Sequence, residues 1–267
     1  MYIKDLLQTG GNSLEKEVLL AYILQKPREF LLSNSDYDVS NENCSSFFEM
    51  IRRHERGIPV AYLTNHKEFY GLPFYVDRRV LIPRPETEFL VEKVLELVQN
   101  DIKLNRIIDI GTGSGNIAVT LATHLKDIVI SATDVSENAL EVAKMNAKRM
   151  NVEDRVRFIE SNLMDDINED FDIIVANLPY IGEETNNFVS KETDEHEPHV
   201  ALYGGQDGLE LYEELFKKIK NFKYLLGEIG FMHREKLEEL FKKYFPTFKC
   251  EIINDLAGLD RYFIITT

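Results

Sequence analysis

The sequence is short of cysteine, of long apolar runs and of positive charge. Cys44 and Cys250 stand far apart and show no metal-ligand spacing. No apolar stretch approaches the roughly 20 residues needed to cross a bilayer. The opening residues, MYIKDLLQTGG, lack a signal peptide's apolar stretch and small-residue cleavage site. A reduced, cytoplasmic setting with no membrane partner is expected. Lysine and arginine number 31 against 46 aspartates and glutamates, a net charge of −15. Proteins that hold nucleic acid through its phosphates rely on the opposite balance, so no direct nucleic-acid substrate is expected. A protein substrate, especially a basic one, stays open. Also missing are internal repeats, low-complexity linkers, a Ser-His-Asp set, a metal-ligand cluster and a phosphate loop.

What remains is a chain of 267 residues, 44% of them hydrophobic, enough for one large domain or a main domain with a smaller one. The first 60 residues read as short helices. In NSLEKEVLLAYIL, Ser13 is the expected N-cap, and Leu14, Val18, Leu19, Tyr22 and Ile23 form the expected apolar face. Pro27 is placed to start the next helix. NENCSSFFEMIRRHERG is a further amphipathic segment ending at Gly57. EFYGLPFYVDRRVL reads as a hairpin turning around Gly71-Leu72-Pro73. A helix follows Pro85, with Phe89, Leu90, Val94, Leu97 and Val98 as its stripe.

From Arg106 onward, apolar strands alternate with helices. RIIDI, IVISAT, VRFIE, FDIIVA and FKYLLGEI read as strands. Helices are expected over 115–125, 136–150, 208–220 and 232–244, and the last twenty residues read as an antiparallel pair of strands. Such alternation predicts an α/β fold with a mostly parallel sheet covered by helices on both faces. The expected division is a helical domain over 1–60, a hairpin linker over 61–84 and a catalytic domain over 85–267.

The strand RIIDI feeds GTGSGN and then a helix. Glycines at 111, 113 and 115 let the backbone turn tightly and approach a ligand, and the helix N-terminus adds free N–H groups. The next strand ends in Asp134, about 20 residues on, where a carboxylate can accept from a ribose diol. The spacing is G-x-G-x-G, with Asn116 where a dinucleotide fingerprint has its third glycine. Together with Asp109 just before the loop, this favours S-adenosylmethionine over a nicotinamide cofactor.

The strand FDIIVA runs into Asn177-Leu178-Pro179-Tyr180. In a doubly wound sheet this corner falls beside the glycine loop, where ligands bind. An amide side chain and backbone carbonyls can receive both hydrogens of a substrate NH₂ and aim its nitrogen at a methyl sulfonium. Tyr180 can lie over the planar group, and Pro179 fixes the backbone beforehand. An adenine amine is planar too, so an exocyclic-amine nucleic-acid methyltransferase is the alternative.

The blocks LIPRPETEFLVE, DIGTGSGNIAV, ATDVSENALEVAKMNA, NLPYI, EPHVALYGGQDGLELY and LAGLDRYF together resemble the HemK/PrmC family of release factor glutamine methyltransferases. The resemblance covers nearly the whole chain. It implies a class I methyltransferase fold with a Rossmann-like seven-stranded sheet and a small helical N-terminal domain. It implies S-adenosylmethionine as donor, S-adenosylhomocysteine as product, and class I peptide chain release factors as partners, methylated at N5 of the glutamine in their Gly-Gly-Gln motif. By matching position, Asp109, Gly111, Thr112, Gly113, Ser114, Gly115, Asp134, Leu163 and Asn177 would bind the cofactor. Asn177, Leu178, Pro179 and Tyr180 would receive the glutamine, with Asn177, Pro179 and Tyr180 as the catalytic set. Leu178 departs from the family's Asn-Pro-Pro-Tyr, and Asn162-Leu163 departs from its usual acid and aromatic. Arg84 and Glu86 either line the glutamine pocket or pair with each other. Glu197 and His199 lie on a stretch expected to cover the site. The chain's own Gly204-Gly205-Gln206 is expected to be a turn leading into a helix.

Overall fold

The computed structural model describes residues 1–8, 13–182 and 189–267. The chain divides into two units: residues 1–66 with 190–196, and residues 67–189 with 197–267.

The first unit holds helices Ile3–Gln8, Ser13–Leu24, Arg28–Ser33, Asn41–His54 and Val60–Thr64. Its core gathers Ile3, Leu6, Leu19, Leu20, Leu31 and Phe47, each burial of that size contributing about 1.5–3 kcal/mol. Ser40 caps Asn41–His54 by accepting from the Asn43 amide at 3.2 Å, and Arg52, Arg53 and His54 in the last turn suit the helix dipole. The expected face of helix Ser13–Leu24 needs correction. Leu14 and Tyr22 are exposed, while Lys16, Leu19, Leu20 and Ala21 are buried. That segment is apolar on most sides, so its periodicity leaves the buried face undecided and tertiary packing chooses it. Helix Lys191–His196 also belongs to this unit, with His196 Nε2 lying 3.4 Å from the Arg56 carbonyl.

The second unit opens with an antiparallel hairpin of β1 (Lys67–Phe69) and β2 (Leu72–Phe74). Its turn is Tyr70-Gly71, not Gly71-Leu72-Pro73: both central residues have positive φ, +51° and +69°. A two-residue loop of this hand matches the strand twist, which puts Leu72 and Pro73 inside β2. A 3₁₀ turn at Pro85–Thr87 then leads into helix Glu88–Asn100, whose buried stripe is Leu90, Val91, Val94 and Val98.

The described residues form a seven-stranded sheet from β3 (Ile107–Ile110), β4 (Ile130–Asp134), β5 (Val156–Glu160), β6 (Ile173–Ala176), β7 (Tyr224–Glu228), β8 (Lys249–Asn254) and β9 (Asp260–Thr266). Their order is β5-β4-β3-β6-β7-β9-β8. All neighbours are parallel except β9, which runs antiparallel to β7 and β8. Alternate residues of each strand feed two cores. Ile107, Ile130, Ile173 and Leu226 pack with helices Glu88–Asn100 and Asn116–His124. Ile108, Ile174, Leu225 and Phe263 pack with helices Glu210–Lys218 and Arg234–Tyr244. The chain winds outward from β3 through β4 to β5, then returns to the other side of β3 with β6. Between β3 and β6 lies the switch point at which open α/β sheets bind ligands.

Candidate active site

At the end of β3, Gly111, Gly113 and Gly115 adopt φ of +72°, +56° and +80°, which glycine alone takes without strain. Gly115 also allows close packing: a Cβ there would lie 3.0 Å from Val119 Cγ2 and 3.1 Å from Ala143 Cβ. Gly113 differs, since a Cβ there would have no atom within 4 Å, and it opens on a cavity. Helix Asn116–His124 starts at this loop; its N-cap, Gly115, has no side chain, and in the first turn the Ala118 amide donates to Asp109 at 3.2 Å. Asn146, fully buried, anchors the loop by donating to the carbonyls of Ser114 at 2.9 Å and Tyr75 at 3.0 Å. Nothing in the motif announces Asn146.

Two carboxylates serve the loop in different ways. Asp134, at the tip of β4, accepts from the amides of Gly113 and Ser136, both at 2.9 Å. Burial raises its pKa and those backbone donors pull it back. Each of its oxygens keeps a further lone pair. Asp109 sits behind the loop, 1% exposed, with Oδ2 accepting from Thr112 Oγ1 at 2.6 Å and the Ala118 amide at 3.2 Å. Its Oδ1 has no partner among the described residues. Burial, and then the Asp134 charge, push its carboxyl up to about 7.

The cavity measures about 450 Å³, within the range of small-molecule sites. Of the residues expected from sequence, Gly111, Thr112, Gly113, Ser114, Asp134, Leu163, Asn177, Leu178 and Pro179 line it. Asp109, Gly115 and Tyr180 are not among the lining residues. Leu163, 7% exposed, sits at φ +54°, where a bulky non-glycine residue is an outlier. Asn162 beside it also lines the cavity and donates to Glu214, another lining residue, at 3.1 Å.

The corner after β6 is held by residues far apart in the chain. Asn177 Nδ2 donates to Thr87 Oγ1 at 3.0 Å, and Thr87 donates to Glu228 Oε2 at 2.7 Å. Tyr180 donates its hydroxyl to Glu228 Oε1 at 3.2 Å. Glu228 is 2% exposed; burial raises its pKa, while Thr87, the Arg261 charge and Tyr180 lower it. Burial likewise pushes the Tyr180 phenol well above its ordinary value. Leu178 is buried, and a Cβ on Gly111 would come within 3.1 Å of its Cδ2. Its amide, which a proline would lack, faces the Tyr212 hydroxyl at 3.5 Å.

The segment after residue 197 forms another wall. Arg84 pairs with Glu197 rather than with Glu86, and Glu197 also accepts from the Ile82 amide at 3.0 Å. Arg84 lines the cavity, as do Val200, Ala201 and Tyr203, whereas His199 stacks edge-on against Tyr203. The Gly-Gly-Gln turn backs the corner. Methyl groups on Gly204 or Gly208 would overlap the carbonyl oxygens of Pro179 and Tyr180 respectively. Glu210 fastens the turn by accepting from the amides of Gln206, Asp207 and Gly208. Thr87, Asn146 and Glu228 are working residues that motif reading missed, whereas Gly204-Gly205-Gln206 leads into helix Glu210–Lys218 as expected.

A nucleoside with an attached amino-acid chain fits this donor set. Asp134 offers an acceptor for a diol, Leu163 an apolar wall, and Gly113 the space of a missing side chain. Residues 85–195 match the family described as Methyltransferase small domain. The N-terminal domain of human METTL16 in complex with SAH shares the fold, with TM-score 0.54 and 19% identity, covering 92% of this chain and 93% of that one. The chain is a class I S-adenosylmethionine-dependent methyltransferase. Residues 3–64 match the PrmC N-terminal domain. The release factor glutamine methyltransferase of Bacillus anthracis is 38% identical over 266 residues, covering 96% of this chain and 93% of its own length. That of Clostridium acetobutylicum is 38% identical over 255 residues, covering 92% and 88%. This chain belongs to the release factor glutamine methyltransferase family.

Proposed function

We propose that the chain methylates N5 of the glutamine in the Gly-Gly-Gln motif of class I peptide chain release factors, in the cytoplasm. The observation that carries this reading is the position of Asn177 on the same cavity as Gly113 and Asp134. A planar amide nitrogen brought to that corner meets acceptors selected for two N–H groups.

Bound S-adenosylmethionine supplies an electrophilic methyl on a sulfonium. Gly111–Ser114 and Asp134 would hold it, with Asp134 accepting from the ribose and Leu163 walling the base. Asn177 Oδ1 and the Leu178 carbonyl accept the two hydrogens of the acceptor amide. An amide nitrogen is a weak nucleophile, because its lone pair is delocalised into the carbonyl. Acceptors on both hydrogens favour a pyramidal nitrogen, ease proton loss and fix attack direction. Pro179 lines the slot, and Tyr180 supports it from behind through its bond to Glu228. Residues 1–60 dock the release factor, because one glutamine side chain buries too little area for protein-level specificity.

The test offers release factor, DNA and RNA side by side to the enzyme and maps the product by mass spectrometry. A single methyl on the Gly-Gly-Gln glutamine, lost when that glutamine is changed, is the expected result. Methyl on adenine, with none on the release factor, overturns the proposal in favour of a nucleic-acid amine. Deleting residues 1–60 should abolish release-factor methylation and leave cofactor binding intact; unchanged methylation removes the docking role.

A further inference from the structure

An amide side chain is useful at the corner only one way round. With its oxygen toward the substrate, Asn177 accepts a hydrogen from the NH₂ to be methylated. Rotated by 180° about its last bond, it presents two hydrogens to a group that also carries two. No residue of the Asn-Leu-Pro-Tyr motif sets that choice.

We infer that Thr87 and Glu228 are positioning residues that lock the Asn177 amide with its oxygen free for the acceptor NH₂. This rests on the functional reading above. The argument is a count of donors and acceptors along one chain of bonds. An ionised carboxylate only accepts. Glu228 is met by two hydroxyls, Thr87 at 2.7 Å and Tyr180 at 3.2 Å, so both must donate to it. Thr87 Oγ1 has then used its only hydrogen, and its remaining role toward Asn177, 3.0 Å away, is to accept. Only the Nδ2 end of the amide can donate. Asn177 Oδ1 is therefore the end of the amide left to accept from the substrate. Thr87 is 1% exposed and Glu228 2% exposed, so no bulk water substitutes for either partner. The count applies to ionised Glu228, which the Arg261 charge and the two hydroxyls favour against the burial that raises its pKa.

The same geometry ties substrate slot to entry segment. Thr87 comes from the turn that opens helix Glu88–Asn100, and Glu228 from the end of β7. The end of the interior strand β7 and that turn thus meet behind the reacting amide; Thr87 also lines the cavity, whereas Glu228 is not among its lining residues.

The test uses the full chain with Thr87→Val, Thr87→Ser and Glu228→Gln. Valine keeps the shape of threonine and removes the hydroxyl; serine keeps the hydroxyl. Glutamine at 228 can donate to Thr87, which frees Thr87 to donate to Asn177 Oδ1 and turns the amide round. Thr87→Val should lower kcat for release-factor methylation by about 10- to 100-fold, the scale of a misaligned reacting group. The Kd for S-adenosylmethionine should move less than about threefold, since the loop and Asp134 are untouched. Thr87→Ser should recover most of the loss, and Glu228→Gln should resemble Thr87→Val even where valine harms folding. An unaltered kcat in Thr87→Val, or a Thr87→Ser no better than valine, overturns the inference.

A second readout needs no substrate. The Asn177 Nδ2 hydrogens, assigned by their loss in Asn177→Asp, should exchange slowly in the parent protein and quickly in Thr87→Val. Slow exchange in both discards the lock. If the parent shows protected hydrogens but methylates no release factor, the functional reading fails while the orientation stands.

Discussion

The two walls of the cavity are built by opposite means. The cofactor wall comes almost entirely from consecutive residues, Gly111 to Ser114, closed by a strand-end acid on the neighbouring strand. The acceptor wall has one short motif, yet its working geometry depends on Thr87, 90 residues before Asn177, and on Glu228, 48 residues after Tyr180. A backbone cradle needs only local conformation, so a short sequence is enough to encode it. A correctly turned amide needs partners that converge only when the sheet is assembled. Binding the donor and aiming the acceptor should therefore fail separately.

Asn177→Ala is the strongest way to show it. Removing the acceptor for the substrate NH₂ should lower kcat by about 100- to 1000-fold, as loss of a preorganised transition-state partner does. Calorimetry should find cofactor affinity within about threefold of the parent; a full-speed mutant ends the case for this wall. Asp134→Ala attacks the other side and should show the reverse split. Loss of a charged hydrogen bond of about 1.5–3 kcal/mol should weaken cofactor binding by roughly 10- to 100-fold, and saturating cofactor should recover most of kcat. Gly208→Ala probes the backing behind the corner. Overlap with the Tyr180 carbonyl should cost about 1–3 kcal/mol in denaturant unfolding, with kcat falling and cofactor affinity nearly kept.

Asp109 allows a subtler test by pH. Its carboxyl stands at about 7 in the folded chain against an ordinary 3.8, through burial and the nearby Asp134 charge. Folded protein then holds a proton that unfolded protein has released. This contribution to stability is complete below about pH 4, declines by up to about 1.4 kcal/mol per pH unit, and levels off above about 7. Asp109→Asn removes that slope, so the stability gap between parent and mutant should close or reverse as pH rises from 5 to 7. A constant gap means that Asp109 does not titrate there. The smallest expected effect is Leu178→Pro. The residue's carbonyl survives and the lost amide makes only a 3.5 Å contact with Tyr212, so kcat should change less than about threefold; a larger loss would assign the buried Leu178 side chain a role in shaping the slot.

The sheet and its helices were legible because the central strands, buried on both faces, read as apolar runs between amphipathic helices. Gly111, Gly113, Asp134 and Asn177 could be placed from their strand ends alone. Helix Ser13–Leu24 was misread because its apolar residues fall on most sides of the helix and carry little directional signal. The hairpin was misread because Tyr70 takes φ +51°, a conformation that its own chemistry does not advertise. Thr87 looked like part of a helix start and Glu228 like an acid at the end of an apolar strand; pairing them requires the strand order, which periodicity does not specify. Arg84 was expected either to line the glutamine pocket or to pair with Glu86, and the fold pairs it with Glu197 instead.

Gly204 and Gly208 carry a consequence for variation among related chains. They stand in a turn rich in polar residues, the sort of place where substitutions are usually silent. Here each lies flush against a peptide oxygen of the reacting corner, so even one added carbon there would move the catalytic backbone. Damage in that turn should thus mimic an active-site lesion, and repair is to be sought in compensating changes at residues 179–180 rather than in the turn itself.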